Sequence, residues 1–180
     1  MAWIEIPDKH KVITDTQEIA EFLAARGVTY DVWSTSEPLP PNPDQDAILK
    51  AYAHQIHPYM EINGYTVADV IRVTPETPNL DAVRQKFLRE HRHTEDEVRF
   101  FVEGKGYFWF NLENGDLVFA VMCEVGDLIS VPKGTAHWFD MGSSPRVTAI
   151  RMFIDPSGWV PDYTQSGTDT RYNKPYGTVL

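Results

Sequence analysis

The sequence predicts a mainly β fold, in which a β-barrel or sandwich forms the core and several helices pack outside it. Short apolar strands with turn signals between them crowd into the region after residue 97. Helical periodicity is confined to the first half, and strands and helices do not alternate as they do in βαβ units. The 180 residues suit one domain, so we expect a single domain at 1–180, with a barrel core at about 84–154 and an irregular tail at 155–180.

Two strands and a helix are predicted before the first connector. Residues 1–6 alternate enough for a short strand, and apolar residues at helical spacing follow a cap at Thr14 or Asp15. We expect this helix to end near Arg26 and a second strand to occupy residues 28–33.

Proline-rich breaks separate the next elements. Residues 36–44 hold four prolines, which exclude a helix or a central strand and predict a connector. Beyond it, the apolar spacing predicts an amphipathic helix that ends before Pro58 and a strand at 65–73. A further helix that begins at Leu80 is expected to end near Glu90.

Glycines mark the predicted turns of the β region. Residues 98–103 and 105–111 are expected to be two strands that meet across Gly104 and Gly106. The pair Asn114-Gly115 is a strong hairpin signal, and further apolar strands follow it at close spacing.

Composition excludes several classes of function. The chain carries 16 basic and 26 acidic side chains, so its net charge of −10 argues against binding nucleic acid or an anionic membrane surface. Cys123 is the single cysteine, which excludes an internal disulfide and a cysteine-rich zinc module. The chain shows neither a signal-peptide pattern nor an apolar run that could span a membrane, so we expect a cytoplasmic protein, and a monomer.

The candidate site lies in the segment His91-Arg92-His93-Thr94-Glu95-Asp96-Glu97. Because side chains alternate along an extended segment, His91 and His93 should point the same way, with Glu97 shortly after them. A further histidine, His137, lies in a second segment that is predicted to be a strand. A surface loop that happens to be rich in His and Glu could also contain the His91–Glu97 segment. The spacing from this segment to other residues therefore has to distinguish a functional site from such a loop.

This spacing resembles the two sequence motifs of the cupin superfamily, G(x)5HxH(x)3-4E(x)6G and G(x)5PxG(x)2H(x)3N. Two positions depart from the motifs, because Gln85 stands at the first glycine and Met141 stands at the final asparagine. Neither position is a metal ligand in the motifs, so the predicted metal site is unaffected. The matching positions are His91, His93, Glu97, Gly104, Gly126, Pro132, Gly134 and His137.

The run FLREHRHTEDEVRFFVEGKGYF, the later VPKGTAHWFDMG and the chain length resemble the acireductone dioxygenase family of cupins. The resemblance implies a cupin (jelly-roll) β-barrel that binds one Fe(II) or Ni(II) per chain through His91, His93, Glu97 and His137. It also implies cleavage of 1,2-dihydroxy-3-keto-5-methylthiopentene by O2 in methionine salvage. In this family Fe(II) gives 4-methylthio-2-oxobutanoate and formate, and Ni(II) gives methylthiopropanoate, formate and carbon monoxide.

The residue types alone leave the metal and the reaction open. Three imidazoles and one carboxylate suit Fe(II), Ni(II), Mn(II), Co(II) or Zn(II), and they leave two positions free on an octahedral ion. Those positions could take a chelating substrate, or one substrate atom and O2. Two further functions are therefore consistent with the residues: another cupin dioxygenase of a chelating substrate, and a non-catalytic cupin that binds a metal or a small molecule.

Arg99 shares the strand face of Glu97 if the strand is regular. A buried arginine stays protonated and needs an anionic partner, and an ionised enediol substrate would be one. The resemblance gives Arg99 a part in forming the substrate dianion. The alternative is a structural ion pair with Glu95 or Asp96.

Aromatic residues near the motifs are candidates for the substrate pocket, although core packing is the commoner role of such side chains. Phe87 and Phe139 lie close to the histidines in sequence, and Trp159 lies in the tail. The resemblance implies that all three line the pocket. It further implies that Glu90 and Asp96 help metal loading, whereas solvated surface carboxylates would have no such role.

Overall fold

The structure of the protein is a computed structural model that describes residues 2–112 and 117–172. The strands are β1 (Trp3–Ile6), β2 (Lys11–Ile13), β3 (Thr29–Val32), β4 (Val67–Val73), β5 (His91–Arg92), β6 (Glu97–Leu112), β7 (Leu117–Glu124), β8 (Asp127–Val131), β9 (His137–Asp140), β10 (Val147–Phe153) and β11 (Asp162–Tyr163). The helices are α1 (Thr16–Ala24), α2 (Gln45–Ala51), α3 (Ala53–Asn63), α4 (Leu80–Leu88) and α5 (Thr168–Tyr172). The expected mainly β class is confirmed. None of the described helices is long and apolar enough to cross a membrane.

Helix α1 begins where the sequence predicts. The Asp15 carboxylate accepts a hydrogen bond from Glu18 N at 2.9 Å, which satisfies one of the free amides of the first helical turn. Ile19 and Leu23 lie four residues apart on one face and are fully buried in the same apolar cluster as the interior of the β region. The helix therefore closes one side of the β core.

The prediction that a helix ends before Pro58 is wrong. Two helices meet at Tyr52, whose backbone (φ −97°, ψ 8°) is not helical, and α3 continues past Pro58 to Asn63. A proline inside a helix costs about 3 kcal/mol, since it removes a backbone hydrogen bond. Tyr59 and Met60, which follow the proline, pack against a buried apolar cluster, and this burial offsets the cost.

The described strands form two antiparallel sheets that share the long strand β6. One sheet has the order β2-β1-β7-β6-β9-β5-β11, and the other has the order β3-β8-β6-β10-β4. The first half of β6 pairs with β8 and β10, and the second half pairs with β7 and β9. Strands of both sheets contribute side chains to one buried apolar cluster, so the two sheets enclose a common core.

One strand occupies the region where two were expected. Because β6 runs without interruption over Glu97–Leu112, the prediction of two strands that meet at Gly104 and Gly106 is wrong. Gly104 has φ +73°, and the pairing of β6 with β10 shifts register beside it. Such a bulge bends a strand, and here it carries β6 from one sheet into the other. The Asn114-Gly115 turn lies outside the described residues.

Side chains alternate between the two faces of β6 along the first part of the strand. Val98 and Phe100 pack with Tyr52 in the cluster beneath α2 and α3. Phe101 lies on the other face and joins the common core of the two sheets. Glu97 has the same parity as Phe101, so its carboxylate points toward that interior.

The tail was expected to be irregular, and over its described part it is not. A 3-10 helix spans Pro156–Trp159, β11 pairs antiparallel with β5, and α5 follows. A strand of two residues is too short to show a hydrophobic period, so periodicity could not reveal it. Its pairing with β5 places the tail beside the segment that carries the first two motif histidines.

Candidate metal centre

Three histidines and a glutamate converge on one point between β5, β6 and β9. His91 lies in β5 and His93 directly after it, whereas Glu97 begins β6 and His137 begins β9. His91 and His137 are register partners across β5 and β9, which brings the two predicted motifs together. None of the four residues is more than 8% exposed.

The ligand atoms of this group fit a single divalent ion. One nitrogen or oxygen atom of each residue lies within 4.8 Å of the others. Glu97 Oε2 lies 2.8 Å from His137 Nε2 and 3.1 Å from His93 Nε2. Ligands that lie about 2.1 Å from an ion and at right angles to each other are about 3.0 Å apart. The observed separations therefore match neighbouring ligands of one ion.

Backbone carbonyls fix the orientation of two of the imidazoles. His91 Nδ1 lies 2.6 Å from Arg89 O, and His137 Nδ1 lies 2.8 Å from Thr135 O. Because a carbonyl oxygen can only accept, each Nδ1 carries a proton and donates it. The lone pair is then on Nε2 of each ring, which is the arrangement that metal ligation by histidine uses.

Burial and neighbouring charge put His91 and Glu97 in the protonation states that bind metal. Desolvation lowers the pKa of His91 to about 3, so this imidazole is neutral near neutral pH. Burial by itself would raise the pKa of Glu97, but the Arg99 guanidinium holds that pKa well below its usual range. Neutral imidazole and ionised carboxylate are the forms that ligate metal ions.

Arg99 pairs with Glu97 rather than with Glu95 or Asp96, the alternative raised by the sequence. Arg99 Nη2 lies 2.7 Å from Glu97 Oε1, and both side chains are buried. Glu95 instead accepts backbone hydrogen bonds from Ile154 N and Asp155 N. Arg99 Nε is also buried, and it has no acceptor within residues 2–112 and 117–172, so one donor is available to a ligand.

Three aromatic rings surround the Arg99 guanidinium. Its central carbon lies 4.6 Å from the ring centroid of Phe139, 5.2 Å from that of Phe108 and 5.4 Å from that of Phe87. The sequence did not lead us to expect Phe108 near Arg99, because residues 98–103 and 105–111 were expected to be two separate strands. The bulge at Val102 shifts the alternation by one residue, and this shift turns Phe108 to the face of Arg99.

A cavity of about 50 Å³ lies beside the histidines. Phe87 and Trp159 line it, whereas Phe139 lies deeper, in the apolar interior behind Arg99. The pocket roles of these three aromatics stay predictions. The residues that line the cavity are Lys86, Phe87, His91, His93, Arg99, Arg151, Trp159 and Pro161.

The Glu90 and Asp96 carboxylates bond to groups outside the cluster. Glu90 is 3% exposed and accepts hydrogen bonds from Asn111 Nδ2 at 2.8 Å and from Thr164 Oγ1. Asp96 accepts a hydrogen bond from Lys133 N at 2.9 Å. These bonds hold the segments that flank the histidines, and a role of either carboxylate in metal loading stays a prediction.

Arg151 is a cavity residue that was not expected from the sequence. It lies on β10, within the largely apolar segment VTAIRMF, and its side chain lines the cavity. An arginine in the middle of an apolar strand is unusual, because a buried charge needs a partner. The position of this arginine within a largely apolar strand was the feature of the sequence that could have identified Arg151 as a candidate site residue.

Comparison with known proteins finds relatives over most of the chain. Residues 5–161 match the ARD/ARD' family. Acireductone dioxygenase from Picosynechococcus sp. is 49% identical over 165 residues, which cover 92% of this chain and 93% of that protein. Acireductone dioxygenase from Marinobacter nauticus is 50% identical over 153 residues, which cover 85% of this chain and 81% of that protein.

A solved structure has a similar fold. Acireductone dioxygenase from Bacillus anthracis, determined with a cadmium ion in its active centre, superposes with a TM-score of 0.83. The two proteins are 36% identical, and the match covers 91% of this chain and 98% of the other. The likeness therefore extends over most of both chains.

Proposed function

The chain belongs to the ARD/ARD' family of acireductone dioxygenases, and on this premise we propose that it cleaves acireductone with O2 at the His91–His93–Glu97–His137 cluster. The expected cupin fold is confirmed by the likeness to the relative from Bacillus anthracis. This activity belongs to methionine salvage. The observation that carries the proposal is the convergence of three imidazoles and one carboxylate at a cavity that also contains a buried arginine.

The metal is Fe(II) or Ni(II), one per chain, held by the three imidazoles and the Glu97 carboxylate. Bound there, the ion would orient the substrate and polarise its oxygen atoms as a Lewis acid. With Fe(II) the products are 4-methylthio-2-oxobutanoate and formate. With Ni(II) they are methylthiopropanoate, formate and carbon monoxide. In both cases the products together contain all the atoms of the substrate and of O2.

Arg99 supplies a fixed positive charge to the substrate. Its Nη2 is held by Glu97, and its buried Nε is directed to no acceptor within residues 2–112 and 117–172. An ionised enediol beside it would gain a charge-assisted hydrogen bond in a site of low polarity. The ring of Phe87 at 5.4 Å excludes water from the same guanidinium, which strengthens that interaction.

The substrate needs more room than the cavity offers in this conformation. A volume of about 50 Å³ holds about two water molecules. The acireductone has six carbons, three oxygens and a sulfur. Its entry therefore requires one or more of the residues that line the cavity to move.

Anaerobic reconstitution of the metal-free protein tests the activity. Protein loaded with Fe(II) should consume O2 on addition of synthetic acireductone and release formate. Protein loaded with Ni(II) should release carbon monoxide as well. Bound metal without O2 uptake above the spontaneous oxidation rate would contradict the proposal, and would favour a cupin that binds a metal or acts on another chelating substrate.

The proposal includes a single cupin domain over residues 1–180 that acts as a monomer. The family match over residues 5–161 supports one domain, and the net charge of −10 supports a soluble single chain. Sedimentation velocity should give one species near 20.6 kDa across a range of protein concentrations. A species of twice that mass would contradict the monomer.

A further inference from the structure

Asp69 and Arg151 form an ion pair beside the cavity. They are register partners across β4 and β10. Arg151 donates two hydrogen bonds to the carboxylate, from Nε to Oδ1 at 2.7 Å and from Nη2 to Oδ2 at 2.5 Å. A contact at two points fixes the plane of a guanidinium as well as its position.

The fixed guanidinium supports the indole of Trp159. Its central carbon lies 4.8 Å from the Trp159 ring centroid and 5.8 Å from that of Phe153. The Trp159 ring in turn lies 5.6 Å from the His93 ring, with the planes tilted by 30°. A chain of contacts therefore runs from Asp69 through Arg151 and Trp159 to one of the candidate ligands.

Packing alone orients the Trp159 ring in the described part of the chain. Its Nε1 atom is buried and finds no hydrogen-bond acceptor within residues 2–112 and 117–172. The residue ends a single turn of 3-10 helix, Pro156–Trp159, which gives its side chain little support. The position of the indole therefore depends on the groups packed against it, and one of them, Arg151, is held by two hydrogen bonds to Asp69.

We propose that Asp69 and Arg151 are positioning residues that set the Trp159 ring as the wall for the apolar thioether tail of the substrate. Arg151 touches the cavity, and Asp69 acts through Arg151. The identity of the tail rests on the proposed function. The placement of the ring does not, because it follows from contacts within the protein.

The alternative is that the pair only ties β4 to β10. A second ion pair of β4 provides the matched control, since Arg72 Nη2 lies 3.6 Å from Glu103 Oε2 on β6. Neither Arg72 nor Glu103 is among the described residues that line the cavity. Arg72→Lys therefore perturbs a bridge from the same strand without a contact to Trp159.

The indole N–H resonance of Trp159 tests the placement without reference to activity. The five tryptophans should give five indole signals in protein loaded with diamagnetic Zn(II), and Trp159→Phe identifies the signal of Trp159. We expect Asp69→Asn and Arg151→Lys to displace this signal, and Arg72→Lys to leave it in place. An unmoved Trp159 signal in both of the first two variants overturns the proposal.

Kinetics with two substrates test whether the Trp159 ring contacts the thioether tail of the substrate. For acireductone, Asp69→Asn and Arg151→Lys should raise KM about tenfold and leave kcat within about twofold of wild type. For an analogue truncated before the thioether, KM should stay unchanged, and Arg72→Lys should behave as wild type with both. An unchanged KM, or an equal rise for both substrates, overturns the proposal. Wild-type protein that consumes no acireductone counts against the proposed function alone, since the indole signal still reports the positioning.

Discussion

Glu97 and Arg99 lie two residues apart on one strand, and they form a buried ion pair in which Arg99 Nη2 is 2.7 Å from Glu97 Oε1. The second carboxylate oxygen, Oε2, faces the Nε2 atoms of His93 and His137. One carboxylate thus connects the arginine to the candidate metal ligands. Removal of either partner leaves an uncompensated buried charge, which is strongly unfavourable.

Replacement of Arg99 by methionine should weaken metal binding as well as catalysis. Arg99 lowers the pKa of Glu97, so in Arg99→Met that pKa rises and protons compete with the metal for the carboxylate. We expect metal affinity to fall most at acidic pH, and kcat to fall about 100-fold. Chelator competition on both sides of neutrality, together with oxygen uptake, measures both effects. The exposed control Arg72→Met should change neither, and wild-type affinity of Arg99→Met at acidic pH would contradict the prediction.

His93→Ala should remove stoichiometric metal and turnover together. His93 Nε2 lies 3.1 Å from Glu97 Oε2, at the separation expected for neighbouring ligands of one ion. Loss of one of four ligands should lower metal affinity at least about 100-fold, since changes outside the ligand set already cost about 10–100-fold. Elemental analysis after dialysis measures the bound metal. The control is His54→Ala, because the His54 side chain is 56% exposed on α3, and it should retain one ion per chain. Full metal content in His93→Ala would place the site elsewhere.

Gly106→Ala should disturb the ring that packs on Arg99. A Cβ atom at Gly106 would lie 2.2 Å from Phe139 Cζ, so the Phe139 ring must shift. We expect the free energy of unfolding to fall by about 1–3 kcal/mol and kcat to fall with it, as Phe139 moves against the guanidinium. Urea denaturation and oxygen uptake measure the two changes.

The control for this variant is Gly64→Ala at the end of α3. Gly64 has φ +76°, and a Cβ atom at this position would meet nothing within 4 Å, so an alanine there costs about 1–2 kcal/mol through its backbone alone. It should leave kcat unchanged. An equal loss of stability in both variants with no change of kcat in Gly106→Ala would show that Phe139 does not influence Arg99.

Asp127 should make stability depend on pH in the acidic range. Burial raises the pKa of Asp127 to about 6, compared with about 4 in an unfolded chain. The folded protein therefore binds more protons than the unfolded chain between these values, and the contribution of Asp127 to the free energy of unfolding falls as pH rises through this range. The amide of Asp127→Asn cannot ionise, and its oxygen can still accept from Tyr30 OH, which lies 2.7 Å from the present carboxylate.

The stability difference between Asp127→Asn and wild type should consequently move in favour of the variant as pH rises from about 4 to about 6, and stay constant above that. Urea denaturation at a series of pH values measures this difference. The contributions of the other carboxylates to the free energy of unfolding are common to both proteins and cancel in it. A difference that is constant over the whole range would contradict the assigned pKa.

The local features of the fold were predictable from the sequence. Helix α1 follows its Asp15 cap, and α4 lies within the expected bounds, because capping and helical spacing act within a few residues. The candidate ligands could also be named in advance, since the cupin spacing fixes His91, His93 and Glu97 on one short segment. Helix α3 continued past Pro58 against expectation, because tertiary burial of the following turn outweighs the local cost.

By itself the sequence determined the class of the fold and the residue types of the metal centre, since periods of two and 3.6 residues and fixed motif spacings are properties of neighbouring positions. Tertiary structure alone decided that Phe108 reaches Arg99, because a bulge in β6 reverses the alternation. It also decided that Arg151 meets both Asp69 and Trp159, which approach through strand pairing and through a tail folded back on β5. Contacts of this kind join residues far apart in the chain, and no local pattern encodes them.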